Sequence, residues 1–224
     1  MITAAIICSE RDFTPERLGT TLESIDGVVD RAVVVVSGDV SPWEGWIPVG
    51  VDLFHRPWTD HFSDARNYAI ERCLTPWILT IDAGEQLAQG HGRMITGALE
   101  RCPESVDGFM FDVLVPTSEK SEEATVGHGI RLFRNKPEYR YICRAHNQLT
   151  MDKNEAVVTN WVIVHPILPG DHEERMKRNK RMLDLLRGDM ETDSDPEVLH
   201  YTMRAIAQIE DYMEKAGCEG SSAE

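Results

Sequence analysis

Ile2-Thr-Ala-Ala-Ile-Ile-Cys8, followed one helix later by Arg31-Ala-Val-Val-Val-Val36, decides the fold. Both are continuous apolar runs rich in β-branched side chains, without the polar alternation of a strand that has one face in water. Such strands are buried on both faces, as in a parallel sheet covered by helices. Between them Thr14-Pro15-Glu16 opens a helix, with Thr14 as N-cap and Pro15 in the first turn, where its missing N–H is not needed. Leu18, Leu22 and Ile25 then recur at helical spacing to about Ser24, which completes a βαβ unit. Working outward, Val51 to His55 reads as a short strand. Ser63 caps a helix carrying Ala65, Tyr68, Ala69 and Cys73, and Trp77 to Ile81 is another apolar strand. This alternation predicts an α/β fold.

Beyond Ile81 the pattern changes. Met94 to Arg101 reads as a helix, and Gly108 to Val115, Gly129 to Phe133 and Val157 to His165 as strands, an antiparallel extension that makes the sheet mixed. Ser118 to Gly127 reads as a mobile loop. Asp171 with Glu174 imitates a capping box for a helix bearing Met176, Leu183 and Leu186, which Gly188 ends. A second helix runs from Asp195-Pro196 to Gly217. The expected organisation is therefore an α/β domain over 1–170, a helical hairpin packed on it over 171–217, and a disordered tail over 218–224.

The 224 residues are 42% hydrophobic and 27% charged, which excludes disordered, collagen-like and coiled-coil chains. No apolar run approaches the roughly 18 residues of a membrane span. No basic leader follows Met1, and five scattered cysteines form no CxxC pair, so the expectation is a soluble cytoplasmic protein with reduced thiols. A net charge of −15 disfavours nonspecific binding to nucleic acid or anionic membrane. Ten of the 23 basic residues nevertheless fall in two stretches, Arg131 to Arg144 and Arg175 to Arg181. These read either as solvated faces or as contacts for a phosphate-rich ligand.

Asp82 and Glu85 follow the strand Trp77–Ile81 directly, at the carboxyl end where open α/β sheets place ligands. Carboxylates there suit a hard divalent cation or cap the next turn. His165, before Pro166, reads as a ligand or as a structural histidine. No GxGxxG follows the first strand, where Cys8-Ser-Glu-Arg-Asp12 stands, which argues against a dinucleotide-dependent oxidoreductase.

Six segments in order carry a resemblance. They are Ile6-Ile7-Cys8, Asp60-His-Phe-Ser-Asp-Ala-Arg66-Asn67, Trp77-Ile-Leu-Thr-Ile-Asp82-Ala-Gly-Glu85, Arg131-Leu-Phe-Arg134-Asn135, Arg144-Ala-His146-Asn-Gln148-Leu149 and Val164-His165. Together they resemble glycosyltransferase family 2, and more narrowly its members in which a compact GT-A domain precedes a helical, often tetratricopeptide-like, tail.

The resemblance implies a Rossmann-like nucleotide-sugar-binding domain. It implies metal-assisted transfer of a sugar, with inversion, from a nucleotide-diphosphate sugar, UDP-sugars favoured, to a hydroxyl acceptor. The site it implies is Cys8, Glu10, Arg66, Asn67, Asp82, Arg131 and Arg134 on the donor, and Asp82, Glu85 and His165 on Mn2+ or Mg2+. His146 and Asp64 are the catalytic candidates, with Asp112 and Glu85 as further choices of base. The acceptor is open among protein, glycan and small molecule, with a hydroxylated DNA base less favoured. Three positions depart from the family pattern: Gly84 replaces the second carboxylate of Asp-x-Asp, Val36 replaces an Asp after the second strand, and Asn147 replaces the Glu of His-Glu. The alternative is accordingly a degenerate GT-A domain that binds a nucleotide-sugar or a partner without turnover.

Overall fold

The computed structural model describes residues 1–9, 14–39, 47–116, 124–145, 147–166, 172–193 and 195–220. Strands β1 (Ile2–Cys8), β2 (Arg31–Val36), β3 (Val51–His55) and β4 (Trp77–Thr80), with helices α1 (Pro15–Ser24) and α2 (Phe62–Ile70), stand where the apolar runs place them. Strand β5 (Gln86–Leu87), helix α3 (His91–Leu99), and strands β6 (Gly108–Pro116) and β7 (Ala124–Arg134) follow. Then come β8 (Tyr141–Ile142), β9 (Gln148–Leu149), β10 (Ala156–Val164), and helices α4 (His172–Thr192) and α5 (Pro196–Gly220).

Eight strands form one mixed sheet in the order β3-β2-β1-β4-β7-β6-β10-β5. The first four are mutually parallel. Ala32 to Val36 are all nearly inaccessible, as an unbroken apolar run requires. Strand β7 is antiparallel to both β4 and β6, as expected of the extension. Strand β10, however, runs parallel to β6, because the long connection between them lets the chain re-enter in the same direction. Trp77, Phe109, Trp161 and Phe111 pack in succession, tilted or edge-on, at 5.7, 5.0 and 5.3 Å between ring centres, which fills the core across β4, β6 and β10.

The chain divides into two compact units. The first holds the eight-stranded sheet. The second takes in 59–64, 141–148 and 169–224, so the two C-terminal helices share their unit with two short earlier segments and do not stand alone. Within it, Leu183, Leu185, Leu186, Val198 and Ala205 are buried. Helix α4 continues through Gly188 to Thr192, and α5 reaches Gly220 rather than stopping at Gly217. Gly188 is retained inside the helix next to Asp189, whose two carboxylate oxygens accept the backbone N–H groups of Arg144 and Ala145 at 2.7 and 2.9 Å. A Cβ on Gly188 would stand 3.4 Å from the Arg144 guanidinium. Ser63 does not cap α2; its hydroxyl lies 2.8 and 2.6 Å from the carbonyls of Ile142 and Cys143. Of the expected loop at 118–127, residues 124–127 belong to β7 and the rest lies outside the described residues, as do Asp171 and 221–224.

Candidate active site

Strands β1 and β4 keep pairing beyond the end of β4: the N–H groups of Ile81 and Ala83 donate to the carbonyls of Ala5 and Ile7 at 3.3 and 3.2 Å. Asp82 is thereby fixed beside the end of β1, at the carboxyl edge where parallel strands leave a ligand crevice. Cys8 ends β1 there, buried at 3% exposure, and its carbonyl accepts the Ser37 N–H at 3.0 Å.

Arg66, one turn into α2, donates from Nη2 to Asp82 Oδ2 at 2.8 Å. Their side chains are 11% and 23% exposed. The other oxygen, Asp82 Oδ1, is buried and has no hydrogen-bond partner among the described residues. Burial pushes the Asp82 carboxyl up, but Arg66 and Arg131, with a smaller contribution from His165, hold it below its ordinary range. Asp82 is therefore charged at neutral pH.

Glu85 turns inward and is 1% exposed. Its carboxylate accepts both Arg131 Nη groups at 2.9 Å, a bidentate pair, and the Asp82 N–H at 2.8 Å. The Glu85 N–H returns to the Asp82 carbonyl at 2.9 Å, closing the 82–85 turn. Gly84 makes that turn at φ +96°, a conformation side chains resist, and its N–H donates to Thr21 Oγ1 of α1 at 2.8 Å. Thr21, fully buried, was not singled out by the sequence. Only its place on the inner face of α1, between Leu18 and Leu22, marked it as buried.

The structure thus gathers Cys8, Arg66, Asp82, Glu85 and Arg131 at one edge, with His165 close enough for its charge to bear on Asp82. His165 Nδ1 donates to the Pro166 carbonyl at 2.9 Å, and its own N–H pairs with the Leu114 carbonyl. Asn67 is half-buried on α2. Arg131 lies at the site as a partner of Glu85 and not as an open donor contact. Arg134 lies elsewhere: because β7 runs antiparallel to β4, each step from Leu132 to Arg134 moves from Leu79 back to Trp77, away from Asp82. Its guanidinium sits 4.6 Å over the Trp77 ring and bonds to the Val106 and Pro103 carbonyls. Lys136 pairs with Asp107 at 2.6 Å, and Arg140 bonds to the Lys136 and Tyr139 carbonyls, so Arg131 to Arg140 serve internal contacts rather than an open phosphate patch. Asp64 opens α2 and accepts the Thr59 hydroxyl at 2.8 Å. Asp112 pairs with His128 at 2.8 Å. Glu10 and His146 lie outside the described residues.

The residues present do not fit a divalent cation. Asp82 and Glu85 each already hold a guanidinium, and the four side chains sum to zero charge. Gly84 offers no third ligand, and no group of three or more His, Cys, Asp or Glu side chains converges on a common point among the described residues. A cavity of about 440 Å³ opens at the opposite, amino edge of the sheet, bordered by Glu23, Asp26, Asp30, Arg31 and Pro48. Its rim is mainly acidic, which disfavours an anionic ligand there.

No family model matches the chain. A TPR repeat-containing protein of Synechococcus elongatus is 33% identical over 141 residues, which is 61% of this chain and 33% of that protein. The chain thus spans about a third of the length of that curated relative. Among solved structures, S. aureus TarS 1-349 in complex with UDP-GlcNAc superposes with TM-score 0.56 at 9% identity, covering 93% of this chain and 71% of that one. The mannosyltransferase PcManGT from Pyrobaculum calidifontis, in complex with GDP-Man and Mn2+, gives TM-score 0.53 at 13% identity over 100% and 75% of the two chains. The fold is therefore the GT-A-like α/β fold of glycosyltransferases.

Proposed function

We propose that the chain is an inverting glycosyltransferase that moves a sugar from a nucleoside-diphosphate sugar, by preference a UDP-sugar, to a hydroxyl acceptor. The observation that carries this reading is Asp82 at the carboxyl edge of the sheet: charged, oriented by Arg66, and holding one buried oxygen without a donor. A buried acceptor of that kind is costly unless a ligand supplies a donor, and a sugar or ribose hydroxyl does so. The donors bound by TarS and by the mannosyltransferase support the same substrate class.

Inversion follows from a single displacement. A base takes the acceptor hydroxyl's proton while its oxygen bonds to the anomeric carbon, and the bond to the β-phosphate oxygen breaks on the opposite face, its electron pair leaving with the nucleoside diphosphate. Asp64 and His146 are the proposed bases. The metal assistance suggested by the resemblance enters no step, since the residues present do not fit a cation.

Incubation with UDP-GlcNAc, UDP-glucose and GDP-mannose, followed by mass spectrometry, tests the reading: at least one donor should release its nucleoside diphosphate, and Asp82→Ala should not. A second reading, a binding module without turnover, is favoured by Gly84 in place of a carboxylate and by the closure of Glu85 on Arg131. It predicts nucleotide binding with no release from any donor.

A further inference from the structure

We infer that this site takes its nucleoside-diphosphate ligand without a divalent cation, because Arg66 and Arg131 already neutralise the two carboxylates that a cation would bridge to the phosphates. The inference rests on the nucleotide-sugar reading above. At a phosphate site lined with carboxylates, a bound cation joins two sets of negative oxygens that would otherwise repel each other. Here that repulsion is already removed. Arg66 holds Asp82 at 2.8 Å, and Arg131 holds both oxygens of Glu85 at 2.9 Å. The four side chains are between 1% and 23% exposed, so solvent and salt screen them little. Guanidinium groups stay protonated at any working pH, so the pairing is permanent where a histidine's would not be.

A cation could approach only Asp82 Oδ1. There it would compete with Arg66 for the same carboxylate and face the positive charge of Arg131, which is held beside it on Glu85. Glu85 cannot swing out to help, since three N–H donors hold it. Position 84 contributes no side chain: it is a glycine in a left-handed turn at φ +96°, where an added side chain would be strained.

The test is calorimetric titration of UDP, GDP and UDP-GlcNAc into the full chain, once in EDTA and once in excess MnCl2, corrected for the Mn2+–nucleotide complex. The Kd for whichever nucleotide binds should agree within about twofold between the two conditions. The variant Arg66→Gln frees Asp82 from its guanidinium. Its affinity in EDTA should fall by about tenfold and be partly restored by Mn2+, which has no effect on the parent protein. Binding of the parent that tightens about tenfold or more with Mn2+ overturns the inference and leaves the proposed function standing. Failure of all three ligands to bind in both conditions overturns the nucleotide-sugar reading itself, and the inference with it. The parent titration decides the matter whether or not the variant folds.

Discussion

At the scale of the residue, the charge on Asp82 is decided by a contest between burial, which opposes it, and Arg66 and Arg131, which favour it more strongly. The folded-state pKa lies below the unfolded value of about 3.9, so the pair's contribution is complete above that value and lost as pH falls through the folded pKa. Thermal stability and nucleotide affinity should therefore be flat from neutral pH to about pH 5 and fall together in stronger acid. A loss beginning near pH 6.5 would put a histidine in control instead. Asp82→Ala removes the carboxylate that Arg66, 11% exposed, bonds to; it should destabilise the chain by about 3 kcal/mol and abolish nucleotide binding, whereas Asp82→Asn should retain more stability than binding. Gly84→Ala should cost about 1–2 kcal/mol for its left-handed backbone, and Gly84→Asp should cost the same while adding no Mn2+ affinity. Tighter Mn2+ binding with an unchanged Tm in Gly84→Asp would contradict the metal argument. Asp82 and the departure at Gly84 were both legible in the sequence. The role of Arg131 was not, because a string of letters does not show that Glu85 turns inward.

At the scale of the element, α1 holds the 82–87 turn in place: Thr21 accepts from the Gly84 N–H, and Ser24 Oγ accepts from the Leu87 N–H at 3.0 Å. Thr21→Val keeps the shape and removes the acceptor, leaving a buried N–H unpaired. It should cost about 1–3 kcal/mol and weaken nucleotide binding without touching the ligand, measured by chemical denaturation and titration. Unchanged affinity would mean that the turn keeps its form without the clamp. Strands β1 to β4 and helix α1 were legible because long apolar runs and a Pro at N1 state their structure locally. Strand β5, two residues long, has no periodicity to read. Helix α4 passes Gly188, a residue that usually stops a helix, for a tertiary reason: Asp189 in its next position accepts the Arg144 and Ala145 N–H groups.

At the scale of the whole molecule, the two ends of the strands in the mixed eight-stranded sheet differ in charge. The carboxyl edge carries the neutral cluster of Asp82, Glu85, Arg66 and Arg131, and the amino edge carries the acidic cavity near Asp26 and Asp30. The net charge of −15 does not reveal this division, because the basic residues near Arg131 are consumed internally and local pairing, not the total, sets the field at the site. The sequence pattern implies an antiparallel β10 and the structure pairs it parallel to β6, because strand direction is fixed by a connection whose path the sequence does not state.

The most direct test of the central claim is amide hydrogen exchange, read by mass spectrometry, with and without saturating UDP-GlcNAc. A ligand at the carboxyl edge should slow exchange at the end of β1 and in the 81–87 turn and leave residues 28–32 and 48–51 unchanged. Protection of 28–32 and 48–51 instead, or none at 81–87 while the ligand is bound, would contradict it.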